Sequence, residues 1–408
     1  MYPKITTKYS TLQPKTHCNV LYGIYKENHY IIKDFRFYMN FFGFNGYITG
    51  AARLFVGKDI LKELPKEALI YGTRIYLTGT EHSLAAVKAA GFIDNLDTMG
   101  FTVLEDKFAG QCSDENINSM TVRMAEFSPD LVIATGGGRC IDTAKVASVR
   151  QEKPIFTVPT IAATCAAAAP ISVIYYPDGR PKTTYFNNRN IEACFVDINI
   201  VCKAPKRYFA AGMGDAFAKL AESYSGINRN RLHDVDALQK SALAVAEIVT
   251  DPILRKGVKA YSDIASGNIS EEAQEIALVN IGLTNTAGIL ARHVMRQPVK
   301  CVDCCSKDIG HSFHNLLHKL FPSESEKYLH GELVALFLLV QYKMNGESPK
   351  RINEYLDFYR QVNLPTKLED LGIAAPDLVA EQLLNEAQKD SDYAPYMHKL
   401  REAMDILL

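Results

Sequence analysis

From residue 48 to residue 203 the chain alternates short apolar runs with segments of helical spacing, and beyond 203 the alternation stops. That alternation is the pattern of a parallel β-sheet with helices packed on its faces. Residues 74–78, 101–104, 131–135 and 154–158 read as strands, with further strands or edges at 171–175 and 195–197. Residues 81–96, 116–127 and 141–150 read as the helices between them. After 203 the apolar period lengthens to that of helices: 212–226, 233–251, 253–266, 270–294, 309–319 and 331–344, with shorter pieces at 349–361 and at the C-terminal end. The expected organisation is an α/β parallel-sheet nucleotide-binding domain over 46–203 and an all-helical domain over 204–408. The first 45 residues stand apart. They carry Tyr22, Tyr25, Tyr30, Phe35, Phe37, Tyr38, Phe41 and Phe42, and read as an extra hairpin packed on the body or on a partner subunit.

A chain of 408 residues is long enough for two domains. Its formal net charge of −1 offers no basic excess for nucleic acid. The apolar run at 333–340 is far short of the roughly 18–20 residues that span a bilayer. The N-terminus lacks the apolar core of a signal peptide, and nine cysteines, an odd number, argue against a disulfide framework, so a cytoplasmic protein is expected. Cys301, Cys304 and Cys305 have no second Cys-x-x-Cys to complete a zinc site and read as free thiols.

Chemistry gathers at two places. Gly136, Gly137 and Gly138 follow the apolar run 131–135 and open a helix. A backbone without Cβ atoms at a helix N-terminus can approach a pyrophosphate closely. The turn also suits plain strand-to-helix packing, and the GxGxxG fingerprint is absent. The second place is assembled from Asp215, His311 and His330, an acid and two histidines on separate helical segments. Such ligands suit Zn²⁺ or Fe²⁺, and three protein ligands with a vacant position is the catalytic zinc pattern. His311, His314 and His318 share one helical face. A nucleotide site followed by an open metal site suggests hydride transfer at a metal-bound alcohol or carbonyl.

Seven pieces in order carry a resemblance: 136–145, 159–165, 195–197, 204–207, 212–215, 311–315 and 330–332. Together they resemble the metal-dependent alcohol dehydrogenase superfamily, which includes glycerol dehydrogenases, iron-containing alcohol dehydrogenases and, more distantly, dehydroquinate synthases. The match runs from about residue 47 to the C-terminus. It implies a dehydroquinate synthase-like fold, NAD or NADP, one divalent metal on Asp215, His311 and His330, and a homo-oligomer acting on a small molecule. It implies a proton-relaying role for His314, a pyrophosphate cradle at Gly136–Gly138 with Asp142 in its turn, and a nicotinamide site flanked by Thr160, Thr164, Ser172 and Tyr175. Iron-bearing members have a histidine where this chain has Lys219, so zinc is favoured over iron.

Two departures bear on substrate and cofactor. Glycerol dehydrogenases have an aspartate at the position of Cys165, beside the polyol. Losing that charge removes repulsion against an anionic substrate, on the order of 1–4 kcal/mol at ~4 Å. The stretch 159–167 resembles the hydroxycarboxylate dehydrogenase branch, so a 2-oxo acid/2-hydroxy acid pair is the expected substrate, with glycerol, another polyol or a simple alcohol as the alternative. Gly79 stands where NAD-specific relatives carry an aspartate for the ribose hydroxyls, which admits NADP. A dehydroquinate synthase-type lyase would carry Glu in place of Asp215, and a retired nucleotide-binding scaffold would have a damaged metal triad; neither fits.

Overall fold

The computed structural model describes residues 48–224, 235–295 and 308–408. The aromatic-rich segment 1–45 and Cys301, Cys304 and Cys305 lie outside them. Strands β1 (Leu54–Gly57), β2 (Arg74–Gly79), β3 (Thr102–Lys107), β4 (Leu131–Gly136) and β5 (Ile155–Pro159) are followed by a hairpin, β6 (Ile171–Tyr175) and β7 (Pro181–Phe186), and by β8 (Ala193–Asp197). All but the hairpin form one sheet, in the order β1-β8-β5-β4-β2-β3, and every pairing in it is parallel. Every residue of β4, β5 and β8 is buried, as strands covered on both faces require.

The connections fix where a ligand can sit. Helices α1 (Glu81–Ala89) and α2 (Phe92–Thr98) lead from β2 outward to β3. Helix α3 (Asp114–Phe127) then returns across β2 to β4, and α4 (Gly138–Arg150) leads on to β5. The strand order therefore reverses at β2, opening a crevice between the carboxyl ends of β2 and β4, where open α/β sheets bind ligands. Gly79 and Gly136 end those two strands, and Gly79 pairs in register with Thr135. The Ser83 hydroxyl, 3.0 Å from both the Thr80 and the Thr135 carbonyls, ties the first turn of α1 to the end of β4.

Three local expectations change. The single helix read over 81–96 is two, because Gly91 takes φ +72, a left-handed conformation that ends α1. Residues 171–175 do not join the main sheet; they pair antiparallel with β7, a strand not read in the sequence. The helices read as 233–251 and 253–266 are one, α6 (Ala237–Ala265), with Pro252 inside it. Proline frees the carbonyl four residues earlier; that residue is Ile248, which is 56% exposed, so water can take up the carbonyl.

Helices dominate after α5 (Lys206–Ser223). α6 is followed by α7 (Glu271–Leu278), a π-helical turn at Val279–Leu283, α8 (Thr284–Met295), α9 (Ile309–Leu320), α10 (His330–Met344) and α11 (Pro349–Gln361). Residues 331–342 of α10 are buried without exception, and a helix apolar all round belongs at the centre of a bundle. It lies backbone to backbone on α5: a Cβ added to Gly331 would sit 1.8 Å from the Ala211 carbonyl oxygen. Residues 47–408 form one compact unit.

Candidate active site

Asp215 lies in the middle of α5, buried, although its residue type suggested a helix start. The close approach at Gly331 sets His330, the first residue of α10, beside it: His330 Nε2 is 3.7 Å from Asp215 Oδ1. His311, in the first turn of α9, brings its Nε2 to 3.5 Å from the same oxygen. Two ligands about 2.1 Å from a tetrahedral zinc lie roughly 3.4 Å apart, so these separations are those of a site one ion could fill. The ligand atoms of all three residues lie within 4.8 Å of one another.

The charges agree with a cation. Burial alone would raise the Asp215 carboxyl, but His311 and His330 beside it and the Lys219 ammonium hold it well below the usual carboxylate range. It is therefore ionised at neutral pH. Burial alone would likewise lower His311. Asp308, Asp215 and Glu222 outweigh it and push the ring well above the ordinary imidazole range. Three carboxylates around one imidazole demand positive charge, which a proton or a divalent metal can supply.

Lys219 stands beside this group as a paired ammonium. Its ammonium is 2.7 Å from Glu222 Oε1, in a pair of which both members are buried. His314 is 4% exposed, and its Nε2 lies 3.4 Å from His330 Nδ1. Burial first, then the His330 and His318 rings, hold His314 well below the ordinary imidazole range, so it is neutral. A neutral Nε2 can accept the Nδ1 proton of His330 and leave His330 Nε2 free for a metal. The geometry thus gives His314 a share in orienting His330, which the sequence did not suggest.

The glycine turn is tight at Gly137, where an added Cβ would lie 2.8 Å from Ile161 Cδ1, and open at Gly138. Gly136 has φ +137, Gly137 caps α4 without a side-chain bond, and Gly136 O accepts the Thr160 N–H at 3.0 Å. A Cβ on Gly138 would meet nothing closer than 3.5 Å, with Thr164 Oγ1 3.9 Å away. Gly138 thus lies beside Thr164, and Thr160 is tied by its backbone to Gly136. Gly79 reads differently: a Cβ there would lie 2.5 Å from Thr135 Cγ2 and 2.7 Å from Ser83 Oγ, so packing alone requires glycine.

Asp142, Ser172 and Tyr175 belong to the support of this crevice. Asp142 is buried, pairs with Lys145 at 2.7 Å and accepts the Val173 N–H at 2.9 Å. Lys145 in turn donates to the carbonyls of Ala166, Ala169 and Ile171, pinning the loop after β5 and the hairpin to α4. Ser172 is fully buried, and its Oγ accepts from Asn187 Nδ2 at 3.4 Å. Tyr175 is half-buried on the hairpin, its phenol raised by burial and by Asp142. Cys165 lies in the loop after β5, where burial and then Asp215 push its thiol up to about 11, against the pull of Lys219 and Arg292.

Several residues that matter to the site went unread in the sequence. Asn280, in the π-helical turn, donates from Nδ2 to the carbonyls of Ala162 and Phe209, both at 3.1 Å, bolting the crevice loop to α5. π-Helical turns concentrate at functional sites. Arg207 at the start of α5 grips buried Glu332 with two bonds of 2.6 and 2.7 Å, and Glu332 also accepts the Leu329 N–H, so α5 and the start of α10 are braced beside the ligands. Asp308 precedes α9 and its Oδ1 accepts the His311 N–H at 3.1 Å, a helix cap that its spacing from His311 could have revealed.

Residues 51–198 match the family model of iron-containing alcohol dehydrogenases. A glycerol dehydrogenase of Thermotoga maritima is 31% identical over 356 residues, covering 86% of this chain and 89% of that protein. Hydroxycarboxylate dehydrogenase A of Escherichia coli is 29% identical over 268 residues, covering 65% and 69%. Among solved structures, a probable glycerol dehydrogenase from Sinorhizobium meliloti 1021 matches with a TM-score of 0.73 at 24% identity, covering 89% of this chain and 98% of that one. The parallel sheet with its reversal at β2 and the helical bundle behind it are the fold of these neighbours. With a relative this similar along nearly its whole length, the chain belongs to the iron-containing alcohol dehydrogenase family and is a dehydrogenase acting on CH–OH groups.

Proposed function

We propose that the protein is an NAD(P)-linked dehydrogenase of glycerol or a related small polyol that works with one divalent metal held by Asp215, His311 and His330. The observation that carries this reading is the convergence of those three side chains, at tetrahedral-edge separations, on helices packed behind the crevice of the sheet. The weight given to polyols comes from the relatives, most of which are named glycerol dehydrogenases. In sequence alone the 2-oxo acid reading stood first, and the relatives reverse that order.

The residues fit both groups that membership in the family implies. Asp215 offers an ionised oxygen and the two histidines offer ring nitrogens, a donor set suited to zinc. Lys219, bound to Glu222, stands where iron-bearing relatives have a histidine, which favours zinc over iron. Gly136, Gly137, Gly138, Thr160 and Thr164 would take the cofactor, with the N-terminal dipole of α4 toward its phosphates. When bound, the metal polarises the substrate oxygen and the nicotinamide exchanges hydride with the substrate carbon. The chain's own part is to orient and to exclude water: Asn280, Arg207 and the Asp142–Lys145 pair hold the walls, and His314 offers a neutral ring behind His330.

A second reading, a 2-oxo acid/2-hydroxy acid pair, is favoured by Cys165. Its thiol stays neutral at pH 7, and the cations Lys219, Arg292 and Lys145 act on it. An anionic carboxylate would meet no carboxylate there of the kind glycerol dehydrogenases place beside their substrate.

Initial rates on zinc-loaded protein separate the readings. Glycerol and dihydroxyacetone are run against 2-hydroxybutyrate and 2-oxobutyrate, each with NAD(H) and NADP(H). Faster turnover of the polyol pair supports the first reading, and faster turnover of the acid pair installs the second. No turnover of either, with zinc retained, would remove both.

A further inference from the structure

We infer that Asp308 is a positioning residue for the metal site, capping the helix at His311 and standing beside the ring nitrogen whose proton it is placed to accept; this rests on reading Asp215, His311 and His330 as the ligands. Asp308 Oδ1 accepts the His311 backbone N–H at 3.1 Å, which caps α9. Its other oxygen, Oδ2, lies 2.7 Å from His311 Nδ1. One carboxylate therefore bonds the backbone of His311 and stands beside its ring.

The consequence follows from imidazole chemistry. For His311 Nε2 to present a lone pair toward Asp215, the ring proton must sit on Nδ1, and the acceptor beside Nδ1 decides this. Two carboxylates face that nitrogen. Glu222 Oε1 is the more distant, at 3.3 Å, and already takes the Lys219 ammonium at 2.7 Å. Asp308 Oδ2 is closer, and among the described residues no cation competes for it. Neither oxygen forms an aligned hydrogen bond to Nδ1, which is buried. A small rotation of the ring toward Asp308 would align that bond while keeping Nε2 on the Asp215 side. Glu222, fixed by Lys219, closes the other side and limits how far the ring can turn.

The experiment compares zinc affinity, measured by competition with a chromophoric chelator, for the full-length wild type and for Asp308→Ser, Asp308→Asn and Asp215→Ala. Unfolding of the metal-free forms is followed alongside. Serine keeps the helix cap but cannot reach the ring, so D308S should unfold at the wild-type midpoint yet bind zinc roughly 10–100-fold more weakly. Asparagine keeps the cap and the shape, but it loses the charge and places an NH2 donor where Oδ2 faces the ring. D308N should therefore also bind several-fold more weakly, which covers the case in which D308S fails to fold. D215A should lose zinc altogether. If D215A loses zinc while D308S and D308N bind within threefold of wild type, Asp308 has only a capping role and the inference is overturned. If D215A retains wild-type affinity, the ligand assignment falls, and the inference falls with it.

Discussion

Gly331→Ala is the substitution that most directly tests how this fold builds its site. The new Cβ would lie 1.8 Å from the Ala211 carbonyl oxygen, 2.7 Å from its carbon and 3.1 Å from the Asp215 nitrogen. All three are backbone atoms of α5, so no side chain can turn aside. To reach ordinary contact the two helices must part by about 1.5 Å. Overpacking of this kind costs ~1–3 kcal/mol, partly offset by the better helix propensity of alanine. The effect on the site is larger. His330 and Asp215 stand on the two helices that part, and their 3.7 Å separation would grow toward ~5 Å, beyond what one tetrahedral ion bridges. Zinc affinity should collapse, and turnover should fall on the order of 10²-fold or more even at saturating zinc. Urea unfolding measures the first effect, and chelator competition with initial rates the second. Gly57→Ala is the control: nothing lies within 4 Å of its added Cβ, so it should stay within about ±0.5 kcal/mol of wild type. Wild-type zinc affinity in G331A would refute the claim that the backbone contact sets the ligand spacing.

Gly138→Ala should fold normally, since its Cβ meets only ordinary contacts, but should raise the KM for NAD(P) about tenfold or more by filling the cradle; an unchanged KM would place the pyrophosphate elsewhere. Cys165→Asp should move the ratio of kcat/KM for glycerol over a 2-hydroxy acid upward by about tenfold or more, through repulsion of ~1–4 kcal/mol against the acid; a ratio that does not move would take Cys165 out of the substrate pocket. Removal of metal with a chelator should abolish turnover and zinc should restore it, while recovery with iron alone would reverse the metal preference drawn from Lys219. His318 is held down to about 4 by burial and then by His330. A base with a depressed folded pKa costs nothing above its unfolded value near 6.5, and stability is lost as pH falls from there toward 4. In the metal-free protein that loss is on the order of 1–2 kcal/mol after allowing for partial exposure, and His318→Gln should flatten it in urea titrations between pH 7 and pH 4.

The fold was legible wherever one local signal sufficed. Strand β4 is a short apolar run ending in glycines, and α10 is an apolar helix without a polar face; both patterns survive in the sequence because both elements are buried all round. The errors fell where two signals competed. Pro252 reads as a helix end, yet α6 runs through it, and the residue whose carbonyl it frees, Ile248, is exposed. Residues 171–175 have the alternation of a strand, but nothing local says whether the partner is the main sheet or the antiparallel β7. At the site, the motifs singled out Asp215, His311 and His330, which the fold brings within 4.8 Å of one another. Their supports were not legible, because Asn280, Arg207 and Glu222 act across 71 or more positions or across packed helices, and spacing along the chain carries no trace of that.

Gly79 shows how one residue can carry two meanings of unequal weight. Read against relatives, it is a missing carboxylate and a licence for NADP. In the fold, a Cβ there would run into Thr135 and Ser83, and Ser83 is the residue that ties α1 to the end of β4 at the reversal of the sheet. An aspartate could enter only if that tie moved. The glycine is thus accounted for by the crevice's own packing, and it bears on cofactor choice only through the space it leaves above the strand end. The same logic runs the other way at Lys219. Nothing in its packing asks for a lysine, since the stem passes Gly288 at an ordinary 3.5 Å and the ammonium is spent on Glu222. Its charge does matter: it fixes Glu222 beside His311, and an ammonium so paired would add nothing to the three side chains proposed to hold a metal. Residues that the backbone already explains say little about chemistry, and residues that only their charge explains say most.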